Sequence, residues 1–164
     1  MSPSVPWPEA RLTPLARARV LAAAVPGAGY REEVFDVPYA EAWPRLADLE
    51  HSVPAADKLV TSIRIRSRTQ LEDGVEELRF RAGSPLGLFT PFTARLEDGF
   101  CLMTARARIY VVVMAAEPTP DGRTRFGQLE AVPRRLGRLL RPLMRLTTAD
   151  DIKGFRKVAE AGRT

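Results

Sequence analysis

The middle of the sequence alternates between apolar and charged residues, and this pattern limits the possible folds more than any other feature. Three segments show it: KLVTSIRIRSRT, VEELRFRA and TPFTARLEDG. Their apolar positions are Leu59, Ile63, Ile65, Leu78, Phe80, Phe92, Ala94 and Leu96. A period of two is typical of strands with one buried face and one solvated face. The sequence therefore predicts a half-solvated antiparallel sheet.

Further strand-like segments surround these three. YREEVFDV precedes them, and FCLMTARA, RIYVVVMAAEP and RTRFGQLEAV follow them. Between the first strand and the alternating segments lie PYAEAWPRLADL, which has helical spacing, and EHSVPAAD, a second short helix or a turn. We expect Pro44 to kink the first of these helices or to delay its start, because proline lacks a backbone donor.

The C-terminal segment after Pro133 is predicted to be one long helix to about Glu160, with a break near Thr147 as an alternative. An apolar stripe is expected to lie on the sheet, and it comprises Leu136, Leu139, Leu140, Leu143, Ile152, Phe155 and Val158. The opposite stripe is basic and comprises Arg134, Arg138, Arg141 and Arg145. Because no aromatic residues interleave with these arginines, we interpret them as a solvated face rather than a nucleic-acid arm.

The first 28 residues are interpreted as an N-terminal extension, and residues 29–164 as the domain. Thr13 is a candidate N-cap and Pro14 a candidate first helical residue, so LTPLARARVLAAAV predicts a short amphipathic helix. The inventory of strands and helices is complete without this segment. We therefore expect a chain that lacks residues 1–28 to fold.

Composition narrows the classes of function. The chain of 164 residues suits a single domain, and its net charge of +5 comes mainly from arginine. Basicity alone is weak evidence for a nucleic-acid partner, and we do not expect the protein to bind nucleic acid. One cysteine and one histidine exclude an intramolecular disulfide and the common zinc sites. The sequence has neither a long apolar run nor a secretory signal, so we expect a cytoplasmic protein without a transmembrane segment. We also expect no metal and no cofactor.

The segment from Tyr30 to about Ala161 resembles the START-like superfamily, also called SRPBCC or Bet v 1-like, which includes bacterial polyketide cyclases. FDVPYAEAWPRLADLEHS is similar to the first strand and tryptophan-bearing helix of the family. TPDGRTRFGQLEAVP resembles its last strand, and DIKGFRKVAEA the end of its long helix. The resemblance implies an α+β helix-grip fold. In this fold a curved antiparallel sheet of about seven strands wraps around a long C-terminal helix, with two short helices after strand one.

The resemblance also implies an apolar cavity between the sheet and the long helix, where family members bind lipids, sterols, polyketides or hormones. Alternation and helix face give the expected lining of this cavity: Phe80, Phe92, Leu96, Met103, Val111, Val113, Leu140, Leu143 and Phe155. Family cyclases carry polar side chains on the inner face of the middle strands. The apolar face through Phe92, Ala94 and Leu96 departs from that pattern.

Three residues are candidates for acid–base catalysis. His51 has a side chain that titrates near neutrality, and the alternative is an exposed turn residue. Glu130 lies in the apolar segment LEAV, where an inward side chain would be a candidate acid or base and an outward one a surface charge. Tyr110 could donate a hydrogen bond to a ligand carbonyl or simply cap a strand face. Cys101 is interpreted as a small buried strand residue rather than a nucleophile.

Three functions remain open at this stage. The first is binding of an apolar small molecule in the cavity, with or without acid–base catalysis on it. The second is a polyketide cyclase or aromatase activity. The third is a non-catalytic interaction module whose arginine-rich surface meets an acidic protein or a membrane. A homodimer is possible in each case.

Overall fold

A computed structural model describes residues 11–106, 109–132 and 135–161. The helices are α1 (Pro14–Ala24), α2 (Tyr39–Ala47), α3 (Leu49–Ala56) and α4 (Arg135–Glu160). The strands are β1 (Gly29–Phe35), β2 (Ser62–Gln70), β3 (Glu76–Gly83), β4 (Phe89–Glu97), β5 (Phe100–Ala105), β6 (Val111–Pro118) and β7 (Thr124–Ala131). The predicted α+β class and helix-grip architecture are confirmed, with seven strands, two short helices after β1 and one long C-terminal helix.

The seven strands form one antiparallel sheet in the order β1-β7-β6-β5-β4-β3-β2. Strands β2 to β7 form a meander: each strand lies beside the one that follows it in the sequence. Strand β1 closes the sheet beside β7, and α2 and α3 carry the chain from β1 to the opposite edge. The two edges of the sheet are thus the first two strands of the chain.

The inner face of the sheet packs against α2, α3 and α4. Its core includes a chain of three aromatic rings, in which Phe126 lies 5.2 Å from Phe35 and 5.4 Å from Phe155 between ring centroids. Helix α4 continues through Thr147 without the break that we considered. It buries Met144, Thr148, Asp151, Ile152, Phe155 and Ala159.

The predicted apolar stripe of α4 is wrong in its first half. Leu139 and Leu143 are 76% and 51% exposed, and Leu146 is also exposed. The side chains of Leu136 and Leu140 lie outside the described part of the chain. The buried face of α4 instead runs from Met144 through Thr148 and Asp151 to Ile152, so it includes polar residues that a search for leucine periodicity does not select.

The outer face of the sheet is apolar on one half, which corrects the expectation of a sheet whose outer face is solvated throughout. Leu15 and Ala18 of α1 are buried against Phe100, Val113 and Leu129. The segment VVVMAA is therefore apolar on both faces, because the inner helices cover one face and α1 covers the other. The predicted cap of α1 is confirmed, since the hydroxyl of Thr13 accepts from the backbone N–H of Ala16.

A glycine sets the distance between α3 and α4. A Cβ atom at Gly154 would lie 2.3 Å from the carbonyl oxygen of Ala56 and 2.6 Å from its Cα. Real Cβ atoms do not approach backbone atoms so closely, so α3 could not keep its position beside any other residue here. This contact holds α3 against the C-terminal half of α4.

Candidate functional site

A small cavity lies between the inner face of the sheet and α4. Its volume is about 40 Å³, enough for one or two water molecules and far below the size of a drug-sized ligand. Its lining comprises Val53, Asp57, Val60, Ile63, Phe80, Ala82, Phe92, Met103, Tyr110, Val112, Gln128, Glu130 and Phe155. Most of these side chains are apolar, and the polar ones come from β7, from the start of β6 and from the end of α3.

A buried polar cluster forms one wall of this cavity. The side chain of Glu130 is 2% exposed, and its Oε2 accepts a hydrogen bond of 2.5 Å from the hydroxyl of Thr147. Gln128 Nε2 donates to Glu130 Oε1 at 3.3 Å and to Asp151 Oδ2 at 3.5 Å. Strand β7 presents Gln128 and Glu130 on the same face because they are two residues apart. Helix α4 supplies the threonine and the aspartate.

Burial and mutual repulsion favour the protonated form of Asp151. Desolvation is the main cause that raises the pKa of Asp151 to about 9, aided by a hydrogen bond with Glu130 and by the charge of Asp57. Burial also raises the pKa of Asp57, although the backbone N–H of Leu59 opposes this. Within the described residues no lysine or arginine pairs with Glu130 or Asp151. Asp151 is therefore a neutral carboxylic acid at neutral pH and donates to Glu130.

Tyr110 completes the polar wall. Burial raises the pKa of its hydroxyl well above the ordinary value, and the charges of Glu130, Asp57 and Asp151 raise it further. The hydroxyl consequently stays protonated and remains a hydrogen-bond donor. Its ring lies edge-on to Phe92, with 6.5 Å between centroids.

One buried acceptor in the cluster has no partner. Among the described residues, Gln128 Oε1 accepts no hydrogen bond, although the side chain is 1% exposed. An unsatisfied buried carbonyl is costly, so a donor from water or a ligand is expected there. Because Gln128 lines the cavity, the unpartnered acceptor is within reach of whatever occupies it.

The cavity adjoins a wider depression, which we call the mouth. The mouth has a volume of about 300 Å³ and shares Asp57, Val60, Ala82, Phe92 and Tyr110 with the cavity. Leu59 and Ile109 on its wall are 64% and 46% exposed. The stacked rings of Phe80 and Phe92, 5.4 Å apart, lie beside the cavity. A ligand pocket of ordinary size would require the cavity and mouth to join.

The structure brings six of the twelve predicted site residues together. Phe80, Phe92, Met103 and Phe155 line the cavity, together with Tyr110 and Glu130. For Glu130 the sequence left the inward and outward orientations open, and the structure has it inward.

Four predicted lining residues do not line the cavity. Val111 and Val113 lie on the outer face, in the cluster under α1, and Val112 takes the predicted place because it pairs with Met103. An unbroken apolar segment has no alternation that could assign its faces. Leu96 packs on the inner face away from the cavity, and Leu143 is exposed. The side chain of Leu140 lies outside the described residues.

The two remaining candidates from the sequence lie elsewhere. The side chain of His51 is 84% exposed, and its Nδ1 is 2.9 Å from Asp48 Oδ2 on the surface of α3. His51 is therefore the exposed residue that the alternative interpretation described, and it is not part of the cavity wall. Cys101 is fully buried in β5, and burial raises the pKa of its thiol to about 12. Such a thiol is a poor nucleophile, as expected.

Sequence reasoning missed Asp57, Gln128 and Asp151. Asp57 follows a short helix and resembled a loop residue. Asp151 follows Asp150, and only its place one turn after Thr148 on the buried face distinguishes it from its exposed neighbour. No three metal-ligating side chains come close enough to hold a metal within the described part of the chain. None of the described helices is long and apolar enough to cross a membrane.

Comparison with known proteins shows the fold. No family model matches the sequence, and no curated protein matches it. Among solved structures, the chain is similar to the di-domain ARO/CYC StfQ from the steffimycin biosynthetic pathway, at 10% identity and a TM-score of 0.57. That match covers 88% of this chain and 54% of StfQ, so the chain spans about half of the di-domain protein.

Two further structures match over nearly their whole length. The ZhuI aromatase/cyclase from Streptomyces sp. R1128 has 14% identity and a TM-score of 0.55, over 84% of this chain and 95% of ZhuI. Protein MLL2253 from Mesorhizobium loti has 12% identity and a TM-score of 0.61, over 82% of this chain and 98% of MLL2253. The chain therefore has the helix-grip fold of polyketide cyclase-like proteins, and the resemblance inferred from sequence is confirmed at the level of the fold.

Proposed function

We propose that this protein binds an apolar small molecule that carries a carbonyl group, and that it catalyses proton transfer on that molecule. The observation that carries the proposal is the buried cluster of Glu130, Asp151 and Tyr110 at the cavity, in which no lysine or arginine of the described residues pairs with either carboxyl group. Paired carboxyl groups in such surroundings divide into one that holds a proton and one that accepts it. Active sites are where such perturbed groups concentrate.

Each group has a distinct proposed role. The carboxylate of Glu130 removes a proton from the carbon next to the carbonyl, so the C–H bond breaks and its electron pair moves onto the carbonyl oxygen. Tyr110 donates a hydrogen bond to that oxygen and stabilises the enolate. Asp151 is a positioning residue, because its proton holds Glu130 in place and it does not line the cavity.

The enolate can then react in two ways. It can take the proton back from Glu130, which gives exchange of the hydrogen without net change. Alternatively, its carbon can attack a second carbonyl carbon of the same molecule, and the new alkoxide takes the proton from Glu130. The second course is an intramolecular aldol cyclisation, and neither course needs an external oxidant or reductant.

Cyclisation of a polyketide is the more specific candidate, and two observations favour it. The structural neighbours include proteins described as aromatase/cyclases. Family cyclases carry polar side chains on the inner face of the middle strands, and in this protein the inner face carries Gln128 and Glu130 on β7 instead. Binding without catalysis is the remaining alternative.

The test uses acetophenone, a small apolar ketone with exchangeable protons next to its carbonyl. In heavy water the protein should bind acetophenone, as measured by thermal melting, and should accelerate deuterium uptake into its methyl group, as measured by NMR. Glu130→Gln should retain binding and lose the acceleration, because the amide has no basic oxygen. Tyr110→Phe should reduce the acceleration by about 10²-fold, the usual contribution of one oxyanion donor.

His51→Ala is the matched control, because the His51 side chain is exposed on α3. It should bind acetophenone and exchange its protons as the wild type does. Equal exchange rates in wild type and Glu130→Gln would refute the catalytic roles and leave binding. Absence of acetophenone binding at millimolar concentration would refute the binding site as well.

A further inference from the structure

A second concave surface lies on the outer face of the sheet, away from α1. It is a depression of about 420 Å³ across β2 to β5, and four arginines surround it: Arg66, Arg79, Arg81 and Arg106. The hydroxyl-bearing Thr93 and Thr104 also line it. We call this surface the outer arginine site. Its arginines come from the outer face of the sheet, although Phe80 and Phe92 line both this depression and the inner cavity. A role for this surface does not depend on the proposed function.

A β-bulge contributes to the convergence of these charges. The register between β2 and β3 shifts between Ile65 and Ser67, so Arg66 is an extra residue with no partner across the ladder. Bulges redirect a side chain, and this one adds Arg66 to the face that already carries Arg79. The same two strands also place Arg64 directly opposite Arg81. Like charges directly opposite are destabilising, so the fold alone gives no reason for this arrangement.

The arginines of the outer arginine site are poorly neutralised. Arg79 has one carboxylate near it, with Glu77 Oε1 3.5 Å from its Nε. Within the described residues, Arg66, Arg81 and Arg106 form no ion pair. Some arginines elsewhere on the surface do have a carboxylate partner: Arg19 lies 2.5 Å from Glu32, Arg31 lies 2.8 Å from Glu33, and Arg123 lies 2.6 Å from Asp121. In the described part of the chain, three of the four guanidinium groups around the depression lack such a partner.

We propose that the outer arginine site binds the phosphate or diphosphate group of a soluble small molecule. Guanidinium groups match the geometry of phosphate oxygens with paired N–H donors, and the charge of the anion would relieve the repulsion among the four arginines. The hydroxyl of Thr93 can donate to a further phosphate oxygen, whereas the hydroxyl of Thr104 donates to the Thr93 carbonyl at 3.4 Å and would exchange that partner for the phosphate. A recessed surface of this volume suits a compact anion with a small organic group.

The experiment titrates inorganic pyrophosphate into the full chain at about 150 mM salt, where diffuse surface charge is screened beyond about 8 Å. Binding is followed by NMR of the backbone amides. The expected result is saturable shifts confined to β2–β5, including Thr93 and Thr104. The double variant Arg66→Gln/Arg81→Gln should bind at least about tenfold more weakly, because two charge-assisted contacts are lost.

A second double variant, Arg31→Gln/Arg123→Gln, is the matched control. It makes the same change in net charge at two exposed arginines that pair with neighbouring carboxylates. It should bind pyrophosphate as the wild type does. An equal loss in the control, or shifts scattered over the whole molecule, would show non-specific attraction and overturn the proposal.

A vesicle assay separates a soluble phosphate from a lipid headgroup. Wild-type protein should not sediment with phosphatidylcholine vesicles that contain phosphatidic acid. Sedimentation that disappears in Arg66→Gln/Arg81→Gln, together with no pyrophosphate shifts, would assign the surface to a membrane and refute the soluble ligand. The acetophenone exchange is expected to be unchanged in both double variants, so failure of this proposal is distinguishable from failure of the proposed function.

Discussion

Replacement of Asp151 by asparagine should make the protein more stable at neutral pH. Asp151 is 6% exposed, and its pKa is raised from an ordinary 3.8 to about 9, mainly by burial. The folded protein therefore keeps a proton that the unfolded chain releases. The stability that depends on this proton is fully present below about pH 4 and is lost as the pH rises toward 9. An asparagine has no proton to lose, and its Nδ2 can still donate to Glu130.

The size of the effect follows from the shift in pKa. Each pKa unit is worth about 1.4 kcal/mol, so the pH interval from 4 to 7 corresponds to about 4 kcal/mol of stability lost by the wild type. Asp151→Asn should therefore match the wild type near pH 4 and exceed it by about 2–4 kcal/mol near pH 7, since relaxation around the cluster reduces the full value.

Urea unfolding at several pH values between 4 and 8 measures this difference. Asp150→Asn is the matched control, because Asp150 is the adjacent residue but is exposed, and its hydrogen bond with Lys58 lowers its pKa. The stability contributed by Asp150 is present above its ordinary pKa and is lost as the pH falls, so its removal has the opposite pH dependence. A constant difference between Asp151→Asn and wild type from pH 4 to pH 8 would refute the buried-proton argument.

Three other variants test the architecture. Gly154→Ala should destabilise the protein by about 1–3 kcal/mol in urea, although alanine favours helices, because its Cβ would overlap the Ala56 backbone; a gain in stability would contradict the close α3–α4 contact. Deletion of residues 1–28 should leave a cooperative thermal transition, but at a cost of at least about 2 kcal/mol, the value of one buried leucine such as Leu15; a noncooperative melt would place α1 inside the domain. Val112→Asp should abolish acetophenone binding in the melting assay, because an unpaired charge in the cavity is costly.

The alternating strands could be predicted from sequence because water covers one of their faces. Leu78 and Phe80 point inward while Arg79 and Arg81 point outward, so residue chemistry reports the face directly. The outer face of β6 is covered by α1, so both faces of VVVMAA are apolar. Alternation of apolar and polar residues therefore cannot tell which of them point inward. Only the pairing of Val112 with Met103 decides which valines face the cavity. A cover supplied by a distant segment is not visible in the strand that it covers.

Only part of the candidate site could be predicted from the sequence, for a related reason. Glu130 attracted attention because a carboxylate in an apolar strand end requires an explanation. Asp57 precedes Lys58 and Asp151 follows Asp150, so both resemble surface residues along the chain, and their burial comes from tertiary packing. Each of these aspartates belongs to the site because it lies close to β7. The position of β7 follows from the order of the strands, in which the last strand lies beside the first.

The size of the cavity bears on how a ligand would enter. At about 40 Å³ the cavity cannot hold a molecule larger than a few atoms, whereas the mouth of about 300 Å³ reaches the lower range of ligand pockets. Phe92 and Tyr110 border both volumes, and Phe92 is only half-buried. Rotation of the Phe92 ring would break its stacking with Phe80, an interaction worth about 0.5–1.5 kcal/mol. A ligand that contacts both rings can supply that amount, and we therefore expect rotation of Phe92 to connect Glu130 with the mouth.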